Sequence, residues 1–340
     1  KSIKLNNFPH ITEKGKWVTT EEGDWTGGFW IGLLWFSYKI TGDEKYEESA
    51  YDWLKRLEKR KNDKNMLFDL GFMFYPSFVL GYEITNAGNL RKTALEAANT
   101  LSTLFHERAG FVYHEITIKG KKAGRTIIDV MMNLPLLWWA YEETKDAKFL
   151  KVASAHSKRT IEEFVRKDYS TVHVIDFDLE SGGIMRKITV QGYSDDSCWS
   201  RGQAWAIYGF TLAYKHTKDE LFLRTAKNLA EYFIRKLSED YVPYWDFHDP
   251  KKVVKDSSAG AISSSALLDL SELSGQGKFR EAAIDILNSL CDNYLTREEE
   301  HGILKHGCFH QPAGIGVDES LIWGDYYFIE AITKVIKDEV

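Results

Sequence analysis

The chain has 340 residues, with 44 Lys and Arg against 50 Asp and Glu, a formal charge of −6, and 44% hydrophobic residues. This composition suits a globular protein with a large core; it offers no basic stripe interleaved with aromatics, which excludes a nucleic-acid partner, and no apolar run long enough to span a membrane. Cys198, Cys291 and Cys308 are scattered, odd in number and without CxxC spacing, so neither a disulfide framework nor a zinc site is expected.

Taken in chain order, the first strong signal is a turn that recurs. It reads Tyr38-Lys-Ile-Thr41-Gly-Asp43, then Tyr82-Glu-Ile-Thr85-Asn-Ala87, Tyr141-Glu-Glu-Thr144-Lys-Asp146, Tyr214-Lys-His-Thr217-Lys-Asp219, and more weakly Ser271-Glu-Leu-Ser274-Gly-Gln276. Each copy predicts a helix end, a tight polar turn and the start of the next helix, with Asp or Asn able to cap free N–H groups. The segments after these turns have helical period: Tyr46, Ala50, Trp53 and Leu57; Ala226, Leu229, Ala230, Phe233 and Leu237; Ala283, Ile286, Leu287, Leu290 and Tyr294. With a terminal helix around Tyr326 to Ile336, the spacing implies about six helical hairpins, each burying its face on its neighbours. The expected fold is all-α, a closed ring of six hairpins forming one domain over 1–340; an open solenoid would require polar capping repeats, and the aromatic C-terminal segment does not supply them. The longest loops fall at 106–126 and 168–200, on the face where function concentrates.

Two aspartates lie inside apolar runs, Asp69 in Met-Leu-Phe-Asp-Leu-Gly-Phe and Asp129 in Thr-Ile-Ile-Asp-Val-Met-Met-Asn133. A buried carboxyl that has no cation beside it is driven toward its protonated form, the state a general acid needs. The competing reading for both is a helix N-cap. Capping is also the simpler role for Asp195, Asp196 and Asp256. His114 and His173 fall in the long loops, where a lone histidine is commonly a solvated surface group. The segment 191–210, QGYSDDSCWSRGQAWAIYGF, crowds acids, amides, an arginine and aromatic rings together. Rings with interleaved polar groups suit a sugar; the alternative is a packed helix with Arg201 in a buried ion pair. HExxH, phosphate-cradling glycine loops and GxSxG are missing, so no metal or nucleotide cofactor is expected.

Together these segments resemble the bacterial unsaturated glucuronyl hydrolase family. The resemblance is carried by Trp25-Thr-Gly-Gly-Phe29-Trp30, Asp69-Leu-Gly-Phe72, Ile-Ile-Asp129-Val-Met-Met-Asn133-Leu, Gln191-Gly with Trp199-Ser-Arg201-Gly-Gln203-Ala-Trp205, Asp256-Ser-Ser-Ala and Ile-Trp323-Gly-Asp325-Tyr-Tyr, in order over about residues 17 to 335. It implies an (α/α)6 barrel that takes lyase-generated oligosaccharides ending in a 4,5-unsaturated uronic acid and hydrates the C4=C5 bond, after which the hemiketal rearranges and expels the neighbouring sugar. It assigns Asp129 as general acid and base, Asp69 as its partner, Trp25 and Trp199 as sugar-binding walls, and Gln191, Arg201 and His173 as polar contacts, with Arg201 toward the uronate carboxylate. The late loop from His310 to Ser320 lacks the Ser-x-x-Ser-x-Lys pattern of some members and carries Asp318 and Glu319, which predicts poor affinity for sulfate. An unsaturated rhamnogalacturonyl hydrolase and a non-catalytic sugar-binding toroid are the alternative functions. The expected location is the cytoplasm, or the periplasm if a leader was removed before Lys1.

Overall fold

In the computed structural model, residues 5–63 and 68–337 are described. The helices come as consecutive pairs: α1 (Gly27–Thr41) with α2 (Glu44–Leu57), the broken helix α3 (Leu70–Phe74), a π-helical turn (Tyr75–Val79) and α4 (Leu80–Thr85) with α5 (Gly88–Ser102), α6 (Pro135–Thr144) with α7 (Ala147–Glu163), α8 (Ser200–Thr217) with α9 (Glu220–Lys236), and α10 (Ser257–Ser274) with α11 (Gly277–Asn293). The chain ends on α12 (Ile322–Lys337), which packs on both α10 and α1. The first members of the pairs touch in succession, so the first and last helices of the series are neighbours. Pro76 explains the π turn, because it cannot donate within a helix.

The recurring turn has one structure in all five copies. The residue after the Thr or Ser adopts the left-handed conformation, at Gly42, Asn86, Lys145, Lys218 and Gly275. Its N–H returns to the carbonyl four residues back, at Tyr38, Tyr82, Tyr141, Tyr214 and Ser271. The threonine hydroxyls close the last helical turn and receive the N–H two residues on, as Thr144 does with the Ala140 carbonyl and the Asp146 N–H. Asp43, Asp146 and Asp219 then cap the next helix through Lys45, Lys148 and Leu221. Each cap is worth about 1 kcal/mol.

The inner helices are apolar over most of their circumference: α8 buries fourteen consecutive residues, Ser200 to Ala213, whereas its partner α9 has a polar outer face. That difference makes α8 the inner member of its pair and α9 the outer one. Among the described residues no helix is long and apolar enough to cross a membrane.

The expectation of an all-α chain needs correction in the connections. Three two-stranded ribbons, β1 (Phe8–Glu13) with β2 (Lys16–Thr20), β3 (Phe105–His106) with β4 (Phe111–Val112), and β9 (Gly307–His310) with β10 (Ile315–Glu319), lie outside the helices, the first ahead of α1 and the others in connections. A four-stranded antiparallel sheet joins β5 (His114–Ile118), β6 (Lys121–Ile127), β7 (Val174–Phe177) and β8 (Ile184–Ile188). The two long loops of the sequence are therefore one sheet. The β6–β7 pairing joins segments about fifty residues apart, and no local pattern announces such a pairing.

Candidate active site

Some candidate side chains sit on or just before the first turns of α1, α3 and α8, and the others on the 3-10 turn after β6 and in the loops beside β7 and β8. Trp25, before α1, packs on Trp323 at the start of α12, with ring centroids 4.8 Å apart, and on Phe72 of α3 at 5.5 Å. Phe72 in turn meets Trp205 of α8 at 5.1 Å. His10 of β1 completes this aromatic wall, 6.2 Å from Trp25 and 5.7 Å from Trp323.

Asp69 occupies the position before α3, but its carboxylate makes no capping bond. The capping reading thus describes where it sits and not what its side chain does. Burial and the charge of Asp129 push its pKa well above the ordinary carboxyl value, against the opposing hydrogen bond from Asn133. Both effects favour the protonated form of Asp69. Its helix approaches closely because residue 71 is glycine: a Cβ there would stand 2.3 Å from the Asn133 Cα.

Asp129 lies in a single 3-10 turn (Ile128–Met132) that continues directly from β6. It caps nothing and is 8% exposed, and its Oδ2 is buried without a hydrogen-bond partner. The buried Trp205 Nε1 is its neighbour; it closes no well-formed hydrogen bond among the described residues but favours the ionised carboxylate. Unsatisfied buried polar atoms are costly, and this acid and indole N–H, facing each other without a well-formed bond, keep hydrogen-bonding capacity for a ligand. Burial pushes the Asp129 carboxyl up to about 6, held from rising further chiefly by the charge of Arg201.

The 191–210 segment resolves differently from the sugar-wall expectation. Arg201 is 1% exposed, and both of its terminal nitrogens are fully engaged. Nη1 donates to Asp256 Oδ2 at 2.8 Å and to the Cys308 carbonyl; Nη2 donates to Gln191 Oε1 and, at 2.7 Å, to the Phe309 carbonyl. The buried ion pair is the reading that holds, and no donor remains at those nitrogens for a uronate carboxylate. Trp199 is 3% exposed, with the His173 ring 4.4 Å away and the Arg201 guanidinium 4.4 Å from its centroid. It braces those two groups and presents little free face to a sugar. Trp25, half-buried, remains available as a wall.

His173 is buried and Gln191 partly exposed. The His173 Nδ1 faces the Val190 and Gln191 N–H groups, each at 3.3 Å, and Thr189 Oγ1 at 3.1 Å. Those donors assign the hydrogen to Nε2. Burial and the Arg201 charge push its pKa down to about 3, so it is neutral and acts as a donor through Nε2. Gln191 gives its Oε1 to Arg201, which leaves its Nε2 free to donate.

Asp256 caps α10 through the Ser258 and Ala259 N–H groups, as expected, while also pairing with Arg201. Asp195 does not cap α8; its carboxylate accepts from the Thr189 N–H in the loop before it. The acids of the late loop are occupied. Asp318 pairs with His306, and Glu319 accepts from Thr12 Oγ1 at 2.6 Å and from the Lys14 N–H at 2.8 Å.

Asn133, Trp205 and His10 escape residue-by-residue reasoning. The signal for Asn133 was its i+4 spacing from Asp129. His10 carried none, since it reaches the site only through pairing of the first strand.

Glycosyl Hydrolase Family 88 matches residues 4–336. The chain is 37% identical to an unsaturated glucuronyl hydrolase of Bacillus sp. strain GL1, over 97% of this chain and 91% of that protein. It is 37% identical to an unsaturated chondroitin disaccharide hydrolase of Streptococcus pneumoniae, over 93% and 82%. The crystal structure of the Bacillus sp. GL1 enzyme, described as responsible for the degradation of glycosaminoglycan, superposes with a TM-score of 0.92 at 36% identity, covering 98% of this chain and 92% of that one. A mutant of the Streptococcus agalactiae unsaturated glucuronyl hydrolase complexed with dGlcA-GalNAc6S gives 0.85 at 32% identity, over 98% and 86%. With matches that run from β1 to α12 and span every acid of the site, this chain belongs to Glycosyl Hydrolase Family 88.

Proposed function

We propose that this glycoside hydrolase removes a 4,5-unsaturated uronic acid from the non-reducing end of lyase-generated oligosaccharides by hydrating its C4=C5 bond. The observation that carries the reading is Asp129: a buried carboxyl with an unpartnered oxygen and a pKa raised to about 6. Such a group is present in both forms near neutrality, and the reaction needs both. The protonated carboxyl donates to C4 of the enol ether. The resulting carboxylate accepts a proton from the water that adds at C5. The hemiketal at C5 then opens, and the glycosidic oxygen leaves with the released sugar.

Asp69, whose burial favours the protonated form, holds a substrate hydroxyl beside Asp129. His173 Nε2 and Gln191 Nε2 are further donors, and Trp25 offers a ring face. With Arg201 engaged, the first turns of the inner helices offer positive potential for the uronate carboxylate.

As to architecture, the reading is a single (α/α)6 barrel over 1–340. It is supported by the five helix pairs and by the contacts of α12 with α1 and α10. The rhamnogalacturonyl alternative draws no support from the relatives' names, and a non-catalytic toroid would have no use for an unpaired buried acid.

The test is turnover of an unsaturated disaccharide in deuterium oxide, quenched early. Hydration predicts loss of the alkene's ultraviolet absorbance with deuterium at C4. Release of an intact unsaturated uronate with hydrogen at C4 would mean ordinary glycosidic hydrolysis and would sink the proposal.

A further inference from the structure

The sheet β5–β8 sets four ionisable residues in one row. His114 stands opposite Arg125, Arg125 opposite Asp176, and Asp176 opposite Arg186. Directly opposed residues share a face of the sheet, so the four side chains lie together. Asp176 is fully buried and accepts from Arg125 Nε at 2.7 Å, Arg125 Nη2 at 3.0 Å and Arg186 Nε at 2.6 Å. Burial alone would raise its pKa, but the two guanidiniums hold it below the ordinary carboxylate value. Two cations therefore share one anion. His114 adds no charge, because burial and Arg125 push it down to about 4.

The row has donors to spare. Arg186 reaches Asp176 through Nε alone, and its side chain is 45% exposed. Its two terminal nitrogens, and Nη1 of Arg125, have no acceptor among the described residues. A guanidinium edge with free N–H groups pairs with carboxylate or sulfate oxygens.

The face carrying the row is turned toward the catalytic mouth. His114 packs against Phe68, with centroids 5.2 Å apart, and Phe68 immediately precedes Asp69. The other face is turned away: Phe177 packs there on Phe111, and Lys187 reaches Glu163 of α7. β6 runs from Arg125 through Ile127 into the turn that holds Asp129. At about 3.3 Å per residue the four-residue separation is no more than roughly 13 Å, within reach of a sugar attached to the one being hydrated.

We infer that Arg125 and Arg186, braced by Asp176, form an oxyanion subsite for a carboxylate or sulfate ester on a sugar that follows the unsaturated uronate. The inference rests on the proposed hydrolase reading for the placement of that uronate at Asp129. It supplies the positive charge missing from the late loop, at a different place in the cleft.

The test is calorimetric titration of the Asp129→Asn protein with three ligands: an unsulfated unsaturated disaccharide, its 6-sulfated form, and an unsulfated unsaturated tetrasaccharide with an internal uronate. At least one of the two ligands with an added anion is expected to bind tenfold or more tighter than the unsulfated disaccharide, and the one that gains names the source of the oxyanion. Adding Arg186→Gln should erase that gain, with Arg186→Lys restoring part of it. Arg125 keeps both its bonds to Asp176 in these variants, so folding, checked by circular dichroism, should hold. Equal affinities for all three ligands, or a gain that survives Arg186→Gln, would overturn the subsite. The hydrolase reading is judged separately, by absorbance loss with the unmodified protein: binding that depends on Arg186 without any turnover would reject the reaction and keep the subsite.

Discussion

Asn133 ties the acid pair together: its Nδ2 lies 3.4 Å from Asp69 Oδ1, while its own Oδ1 receives the Phe72 N–H at 2.9 Å. One amide thus fixes the turn that carries Asp129 against the first turn of the helix after Asp69. Asn133→Ala leaves the buried Phe72 N–H without its acceptor, a loss of about 1–3 kcal/mol. Chemical denaturation should register that loss. Turnover should fall further than the stability change explains, because Asp69 loses its orientation. A variant with wild-type kcat would remove Asn133 from the site.

Asp129→Asn keeps the shape of the side chain and removes the transferable proton. General acid–base catalysis contributes about 10²–10⁴-fold, so kcat should drop by at least that much with the disaccharide still bound. Steady-state kinetics paired with calorimetry checks both halves. Retention of a tenth of the activity would reassign the acid. Asp69→Asn should also be severely impaired.

The pH dependence follows from Asp129. Its pKa is raised to about 6, so the proton-donating form predominates below that pH and is lost above it. The plot of log kcat/KM should therefore decline above about pH 6, approaching one decade per pH unit. His173 is pushed down to about 3 and stays neutral across this range, so it contributes no inflection. A profile flat from pH 6 to 8 would contradict the assignment.

Asp256 has two roles, as the α10 cap and as the partner of Arg201. Asp256→Ala strips the counter-charge from a fully buried guanidinium. Breaking such a pair costs about 3–5 kcal/mol, so the midpoint of unfolding should fall sharply. A change near 1 kcal/mol would imply that only the cap was lost.

These same residues divide into those legible in the sequence and those that were not. The five turns were readable because everything that makes them is local: a threonine or serine, a left-handed residue and, in three of them, a capping acid within six positions. Asp69 and Asp129 were readable because a carboxyl inside an apolar run is conspicuous whatever surrounds it. The roles of Arg201 and Trp199 were not. Composition alone shows a guanidinium among aromatic rings, and only three-dimensional pairing shows that Asp256, Cys308 and Phe309 engage it first. The row from His114 to Arg186 was hidden for the same reason, since it depends on strands from two distant loops meeting in register.

The bonds of Arg201 also set a timetable. It holds the carbonyls of Cys308 and Phe309, more than a hundred residues downstream, and the first strand is fastened at Thr12 to Ser320, beside the last helix. During synthesis the earlier helix pairs can emerge and pack while Gln191, His10 and Trp25 still lack the neighbours that orient them. The site is therefore not assembled until the segment from β9 to α12 has been made, and a chain cut short before β9 would be largely helical yet without a working site.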